Sequence, residues 1–290
     1  RAVLTEAADI EPWLTDWRGR WHARSAAILQ PQTTEEAALI VAKAADLGVA
    51  LVPQGGNTSM VGGATPPEDG SALVLSLRRM NQIRLIDRGA IRVVAEAGVV
   101  LQTLHEAVDN EGMRFPLTLG AKGSATVGGL ISTNAGGTQV LRFGPMRGLV
   151  DGIEAVLPDG TVHNGLSGLK KDNRGYSLDQ LLIGAEGTLG IITAARLKLF
   201  SAIHSRAVAW LGLDSPQSAL DTLRTLQAST NRIEGFEILP QESLQAVLGH
   251  IPGTRAPLAG EFPWQALVEA TAERPVEEQP PELRARLLAP

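Results

Sequence analysis

The 290-residue sequence contains no cysteine. Disulfides, thiolate catalysis and sulfur-ligated metals are therefore excluded. A reducing compartment is permitted, and a cytoplasmic location is the expectation. No run of 18 apolar residues exists, so no segment reads as a membrane-spanning helix. No basic excess exists either: 26 Lys and Arg stand against 31 Asp and Glu, a net charge of −5. That balance argues against nucleic acid as a partner. Histidine is sparse. His22, His105, His163, His204 and His250 are all at least 41 residues apart, so no metal-ligand spacing is present and no metal residue is assigned. No Gly-Lys-Ser/Thr ends a phosphate loop, and no Gly-x-Gly-x-x-Gly turn with a downstream acid occurs. A nicotinamide-dependent Rossmann enzyme is thereby disfavoured.

What the sequence has in excess is glycine. Its 31 glycines are about 11% of the chain, against about 7% in ordinary proteins. The apolar fraction of 44% and charged fraction of 20% are those of a folded globular chain. The length suggests about two domains.

Local patterns give the elements. Trp13, Trp17 and Trp21, four apart, predict one face of a short helix. Thr33 or Thr34 caps a helix running from Ala37 to Leu47 and closed by Gly48. Strands are expected at 50–53, 73–77, 91–97, 150–157 and 161–163, the last two joined by the Pro158-Asp-Gly-Thr turn. Val100 to Glu111 is an amphipathic helix. Thr188 to Phe200 is β-rich. Strands at 208–213, 233–239 and 264–270 alternate with helices at 215–229 and 241–248, which suggests a second α+β domain. Residues 273–281 read as a Pro/Glu-rich linker, and 283–290 as the opening of a helix.

Three glycine clusters carry the chemistry. The first is Pro53-Gln-Gly-Gly-Asn-Thr-Ser-Met-Val-Gly-Gly63, directly after a strand. Successive glycines let backbone N–H groups converge on an anion, and Thr58 and Ser59 add hydroxyls. The second runs from Gly120 to Gly137, with six glycines and five hydroxyl or amide side chains. It suits backbone lying against a planar ligand, with Gly128 and Gly129 permitting the approach. The third is Gly184-Ala-Glu-Gly-Thr-Leu-Gly190, preceded by Lys170-Lys-Asp-Asn-Arg-Gly-Tyr176. Here Glu186 is either a surface charge or an acceptor for a ligand hydroxyl.

In this order and spacing the clusters resemble the PCMH-type FAD-binding domain of vanillyl-alcohol-oxidase-type flavoproteins. Pro-Gln-Gly-Gly-Asn-Thr, Gly-Ala-Lys-Gly-Ser, Thr-Asn-Ala-Gly-Gly and Lys-Asp-Asn-x-Gly-Tyr are most similar to the FAD-linked D-2-hydroxyacid dehydrogenases. The resemblance spans about 16–200 and continues weakly beyond it. It implies an α+β fold: a two-subdomain FAD-binding domain at 1–200, followed by an incomplete α+β substrate (cap) domain at 201–290. By motif position, Pro53, Gln54, Gly55, Gly56, Asn57, Thr58, Ser59, Gly62 and Gly63 would wrap the pyrophosphate. Gly120, Ala121, Ser124, Gly128, Gly129, Thr133, Asn134 and Gly137 would line the ribityl chain and isoalloxazine. Pro116 would begin a loop near the flavin. Glu186, Gly190, Ile191 and Ile192 would hold the adenosine or flavin side.

Two departures matter. Where covalent relatives carry a histidine, this sequence has Asn57, so FAD is expected to be non-covalent. The family's His-x-Gly-Asp-Gly-Asn-x-His stretch, which supplies a divalent metal and substrate-oxidising groups, is absent from residues 1–290; a metal is expected only in a further C-terminal half. The implied activity is oxidation of a D-2-hydroxy acid (D-2-hydroxyglutarate, D-lactate or glycolate class) by hydride transfer to flavin N5. The alternative is a flavin-binding subunit of a multi-subunit, glycolate-oxidase-type complex without its own substrate site. Expected partners are the small-molecule acid, an electron acceptor and, in a homodimer, a second copy. No catalytic residue is assigned.

Overall fold

The computed structural model describes residues 2–169, 171, 173 and 175–273. Lys170, Asp172 and Arg174 of the third motif, most of the Pro/Glu-rich stretch and the expected helix start at 283–290 lie outside the described residues. The chain divides into two compact units. One comprises residues 1–136 and 145–200; the other comprises 137–144 and 201–290.

Two larger sheets lie in the first unit. In one, the order is Val3–Leu4, Ile28–Leu29, Ala72–Ser76 and Ala50–Gln54, and the last three strands run parallel. The other is antiparallel, ordered Ile83–Asp87, Arg92–Glu96, Ile191–Lys198, Val150–Val156 and Val162–Asn164. The hairpin foreseen at Pro158-Asp-Gly-Thr is present, with Val156 paired to Val162.

The helix Thr34–Leu47 forms for reasons visible in the sequence. Thr33 Oγ1 accepts the Glu36 N–H at 3.2 Å, while the Glu36 carboxylate accepts the Gln32 N–H at 2.7 Å. Gly48 closes the helix in the left-handed conformation at φ 65°. Ala37, Val41 and Ala44 form its buried stripe. Ala37 and Val41 pack in one cluster with Leu75, Leu77, Met80, Ala97, Val156 and Ile191. That shared cluster joins the two sheets, so the edges from which the glycine loops spring are held in one core.

A polar network runs through the same junction. Glu154 is buried and accepts from Thr34 Oγ1 at 2.6 Å, Thr193 Oγ1 at 3.0 Å and the Arg84 guanidinium at 3.0 and 3.2 Å. Arg84 also donates to Glu96 at 3.1 Å. Burial alone would raise the Glu154 pKa. The bonds from Arg84, Thr34 and Thr193 outweigh it and hold the carboxyl below its ordinary value of 4.5.

The tryptophan helix is not formed. Helical turns occupy only Ala7–Ile10 and Glu11–Trp13, and Trp17 and Trp21 are exposed. The cause is Asp16. Its carboxylate accepts N–H bonds from Trp21 and Arg20 at 2.7 Å and from Arg18 at 3.2 Å, which winds the chain into a turn instead. The bond from Trp21 is the largest of the effects that lower the Asp16 pKa.

In the second unit an antiparallel sheet is ordered Ser205–Leu213, Trp264–Ala272 and Ile233–Pro240. Helices Pro216–Ser229 and Gln241–His250 accompany it, the first started by a Ser215–Ser218 capping box with proline in its first turn. The excursion 137–144 is fixed to this sheet by Arg142, which donates to Glu234 at 2.6 Å, Thr271 at 3.2 Å and Glu273 at 3.0 Å.

Glu154→Gln should lower stability by about 2 kcal/mol, because Arg84 loses one of its two charged partners, Glu96 being the other. The folded-state pKa is depressed, so the contribution is present above pH ~4.5 and lost as pH falls through the folded value. Denaturant melts at pH 7 and pH 3.5 test this. A variant gap of the same size at both pH values would rule out the charge as its source.

Candidate functional site

The strands Ala50–Gln54 and Ala72–Ser76 pair in parallel up to Gln54 and Ser76. The first glycine cluster therefore leaves the sheet at its carboxyl edge, where α/β sheets bind ligands. It faces the second cluster at a separation that only glycine allows. A Cβ on Gly55 would stand 2.3 Å from Thr126 Oγ1, and one on Gly56 would stand 2.0 Å from the Ser124 carbonyl oxygen. Between these loops and the third cluster lies a cavity of about 300 Å³.

Thirteen of the expected residues line it: Pro53, Gln54, Gly55, Gly56, Asn57, Thr58, Ser59, Gly63, Ala121, Gly128, Gly129, Thr133 and Glu186. The other nine do not. Gly62 takes φ 72° against the Trp21 ring. Pro116 is buried away from the cavity. Gly120 sits on an open turn, and the Ser124 carbonyl backs onto Gly56. Asn134 turns its side chain to accept the Arg147 N–H at 2.9 Å. Gly137 belongs to the second unit. Gly190 packs against Leu182, while Ile191 and Ile192 are buried in the antiparallel sheet. Sheet membership places Ile191 and Ile192 away from the cavity, since their hydrophobic side chains complete the core.

Sequence reasoning missed part of the wall. Leu77, Ala97, Leu119, Ala125 and Leu130 make it apolar, and Met60, Thr126, Ser132 and Gly187 are also present. Met60, Thr126, Ser132 and Gly187 all lie within the glycine clusters, and Thr126 also carried a local signal as a hydroxyl directly before Val-Gly-Gly. Leu77 and Ala97 enter from strand ends, which only sheet register brings together. His105 supports the approach to Leu119 by hydrogen-bonding the Leu117 carbonyl at 3.0 Å, and burial holds its pKa below the ordinary value.

Each glycine cluster contains one non-glycine residue with positive φ: Asn57 at 53°, Asn134 at 47° and Glu186 at 50°. Such conformations persist where surrounding contacts over-determine them. Asn57 is held because its side-chain amide donates to the Thr15 carbonyl at 2.8 Å. Glu186 is held by its N–H bond to the Ser132 carbonyl at 2.9 Å, and Arg147 braces the preceding turn by donating to the Gln180 carbonyl at 2.6 Å. Arg78 stacks over Trp13 at 4.5 Å and donates to the Gly55 carbonyl at 3.0 Å, fixing the start of the first loop.

This site can hold a long ligand with an anionic centre and an apolar end. Among the described residues, the N–H groups of Gly56, Asn57, Thr58 and Ser59 make no intramolecular hydrogen bond. Two buried side-chain oxygens, Gln54 Oε1 and Thr126 Oγ1, are also unpartnered. Free donors on a glycine cradle suit a pyrophosphate, and apolar walls suit a flat heterocycle. Among the described residues no group of three or more His, Asp or Glu could hold a metal ion.

Comparison with known proteins decides the ligand. Residues 25–165 match the FAD binding domain family. That stretch of the chain is an FAD-binding domain. Its cofactor is FAD. The glycine cradle and apolar walls fit that cofactor. The chain is similar to a mitochondrial D-2-hydroxyglutarate dehydrogenase of Bos taurus, at 42% identity over 94% of this chain and 50% of the relative. It is also similar to a putative mitochondrial D-lactate dehydrogenase of Schizosaccharomyces pombe, at 38% identity over 91% of this chain and 50% of the relative. An alkyldihydroxyacetonephosphate synthase structure superposes with TM-score 0.75 and 18% identity, covering 93% of this chain and 53% of that one. That match concerns the α+β fold alone. The chain thus spans about half the length of the curated relatives it matches.

The relatives correct one expectation. Those from cattle, fission yeast, Rattus norvegicus and Arabidopsis thaliana are all mitochondrial by name, against the cytoplasmic location expected from composition. Absence of cysteine is compatible with any reducing compartment and does not select among them.

Two adjacent glycines of the FAD-binding domain should behave differently on substitution. Both lie in the helix Val127–Ser132. A Cβ on Gly128 would meet Ala97 Cβ at 2.6 Å, whereas one on Gly129 would meet only Thr126 Oγ1, at 3.4 Å. Gly128→Val should therefore unfold or strongly destabilise the domain, by about 3 kcal/mol. Gly129→Ala should keep the fold and weaken FAD retention about ten-fold. Melting curves and flavin-to-protein absorbance ratios distinguish them, and equal behaviour would contradict this assignment.

Proposed function

We propose that the protein is an FAD-dependent oxidoreductase that converts a D-2-hydroxy acid to its 2-oxo acid. The carrying observation is that relatives at 42% and 38% identity, named for D-2-hydroxyglutarate and D-lactate oxidation, align over nine-tenths of this chain, including all three cavity-forming clusters. FAD, when bound, supplies a two-electron acceptor for the hydride leaving the substrate Cα.

The chain's own residues bind and orient. The N–H groups of Gly56 to Ser59 face the pyrophosphate and neutralise it without a lysine. Gly128 and Gly129 give the heterocycle a flat wall. Leu77, Ala97, Leu119 and Leu130 exclude water from that wall and strengthen the electrostatics inside it. Thr133 and Glu186 close the rim. Residues 1–200 form the FAD-binding domain in this reading and 201–290 contribute to the substrate-facing cap. FAD is held without a covalent bond, since Asn57 offers no nucleophile at the first cluster.

Acid precipitation of the purified protein should release the yellow chromophore into the supernatant. Anaerobic addition of D-2-hydroxyglutarate or D-lactate to the intact protein should bleach the absorbance near 450 nm, with the L-enantiomers inert. Flavin left in the pellet would overturn the non-covalent assignment. A spectrum unmoved by any D-2-hydroxy acid would overturn the substrate class.

A further inference from the structure

Arg147 belongs to none of the three glycine clusters and does not line the cavity. It lies in the short helix Met146–Leu149. Its backbone N–H donates to Asn134 Oδ1 at 2.9 Å, in the second cluster. Its guanidinium donates to the Gln180 carbonyl at 2.6 Å, to Gln180 Oε1 at 3.0 Å and to the Ile183 carbonyl, just ahead of the third cluster. All of these acceptors are neutral oxygens. An arginine bonded in this way acts through the fixed directions of its planar fork.

The acceptors stand at the end of the single helical turn Asp179–Leu182. Carbonyls there have no partner within the helix, and a cation is favoured beside them. Gly184 follows at φ 79°. A Cβ on it would lie 3.4 Å from both Arg147 Nη2 and Asn134 Cβ, so the chain turns tightly around the guanidinium. The turn delivers Glu186 and Gly187 to the cavity wall.

The third loop has a narrow seat. Gly184 N–H bonds the Ile131 carbonyl at 3.1 Å and Glu186 N–H bonds the Ser132 carbonyl at 2.9 Å. A Cβ on Gly187 would stand 2.5 Å from Pro53 Cγ, so this loop also lies against the first. Gly184, Glu186 and Gly187 all take positive φ. Two backbone bonds are a slight hold on a segment in that conformation, which persists where its surroundings over-determine it. Arg147 supplies the remaining constraint, because it grips the second cluster through its backbone and the base of the third loop through its side chain.

We propose that Arg147 is a positioning residue for the cavity: it fixes the third loop over the other two and so sets how fast a bound cofactor leaves. The identity of that cofactor rests on the FAD reading; the position of the loop does not.

The test compares the unaltered chain, Arg147→Met and Arg92→Met. Arg92 pairs with Asp151 and does not line the cavity, so its variant reports general loss of stability. Hydrogen exchange is measured first, without cofactor. In Arg147→Met the Gly184 and Glu186 amides should exchange about ten-fold faster, while the Leu197 amide in the antiparallel sheet keeps its rate. In Arg92→Met, Gly184 and Glu186 should be unchanged. FAD release, followed by flavin fluorescence, should be about ten-fold faster in Arg147→Met and within about two-fold of the unaltered rate in Arg92→Met. Should Arg147→Met not fold, Arg147→Lys keeps the charge without the fork, and the same measurements should shift about three-fold. Unchanged exchange at Gly184 and Glu186 overturns the proposal. Unchanged FAD release does so as well, and so does equal acceleration in both variants at equal loss of melting temperature, which would make the effect one of stability. Failure of the unaltered chain to bind FAD strikes the cofactor reading instead, since exchange still reports the loop.

Discussion

The close approach of two backbone segments, 53–59 and 124–129, is the constraint on which the rest depends. It exists because side chains are missing at Gly55 and Gly56, where any Cβ would collide with Thr126 or Ser124. Two loops pressed together this tightly cannot use side chains as ligand contacts on their inner faces. They offer backbone N–H groups, which are fixed in direction and need no desolvated lysine. The helix start at Val127 is pinned to the Val99 and Ala97 carbonyls for the same reason: the chain lies flush against Ala97.

Such a site needs rigid support, because backbone donors cannot reorient by rotamer change. The support comes from the junction of the two sheets. A hydrophobic cluster from both sheets fills it, and Glu154 ties helix, strands and Arg84 together where it is buried. The positive-φ residues of the three glycine clusters other than glycine, Asn57, Asn134 and Glu186, are braced by Thr15, Arg147 and Ser132 respectively. Strain in the loops is thus balanced by hydrogen bonds to elements far away in sequence.

Much of this was legible in the residue string. Thr33 with Glu36, Gly48, Pro158-Asp-Gly-Thr and Ser215-Pro216 place their elements through short-range chemistry that tertiary context had no cause to override. The clusters at 53–63 and 120–137 announced a ligand because nothing in a solvated turn requires so many glycines beside Val127, Leu130 and Ile131. Reading by motif proximity failed where neighbours in sequence diverge in space. Ile191 and Ile192 adjoin Gly190 but turn into the core, and Asn134 turns to Arg147. The Trp13, Trp17 and Trp21 spacing misled because one carboxylate, Asp16, captured three N–H groups that a helix would have used.

The sequence by itself determined the element order, the presence of three glycine-rich loops and the absence of thiol chemistry. These depend on covalent properties: missing Cβ atoms, cap side chains, missing sulfur. Only the tertiary structure decided that Leu77 and Ala97 wall the cavity and that the Gln54 amide is tied to the Trp13 and Ala64 carbonyls. It also decided that the Ala97 and Val99 carbonyls, just past the strand Arg92–Glu96, rather than the Thr126 side chain, satisfy the start of the helix Val127–Ser132. A hydrogen bond goes to whichever acceptor the fold brings nearest, and that competition is settled by strand register across distant parts of the chain.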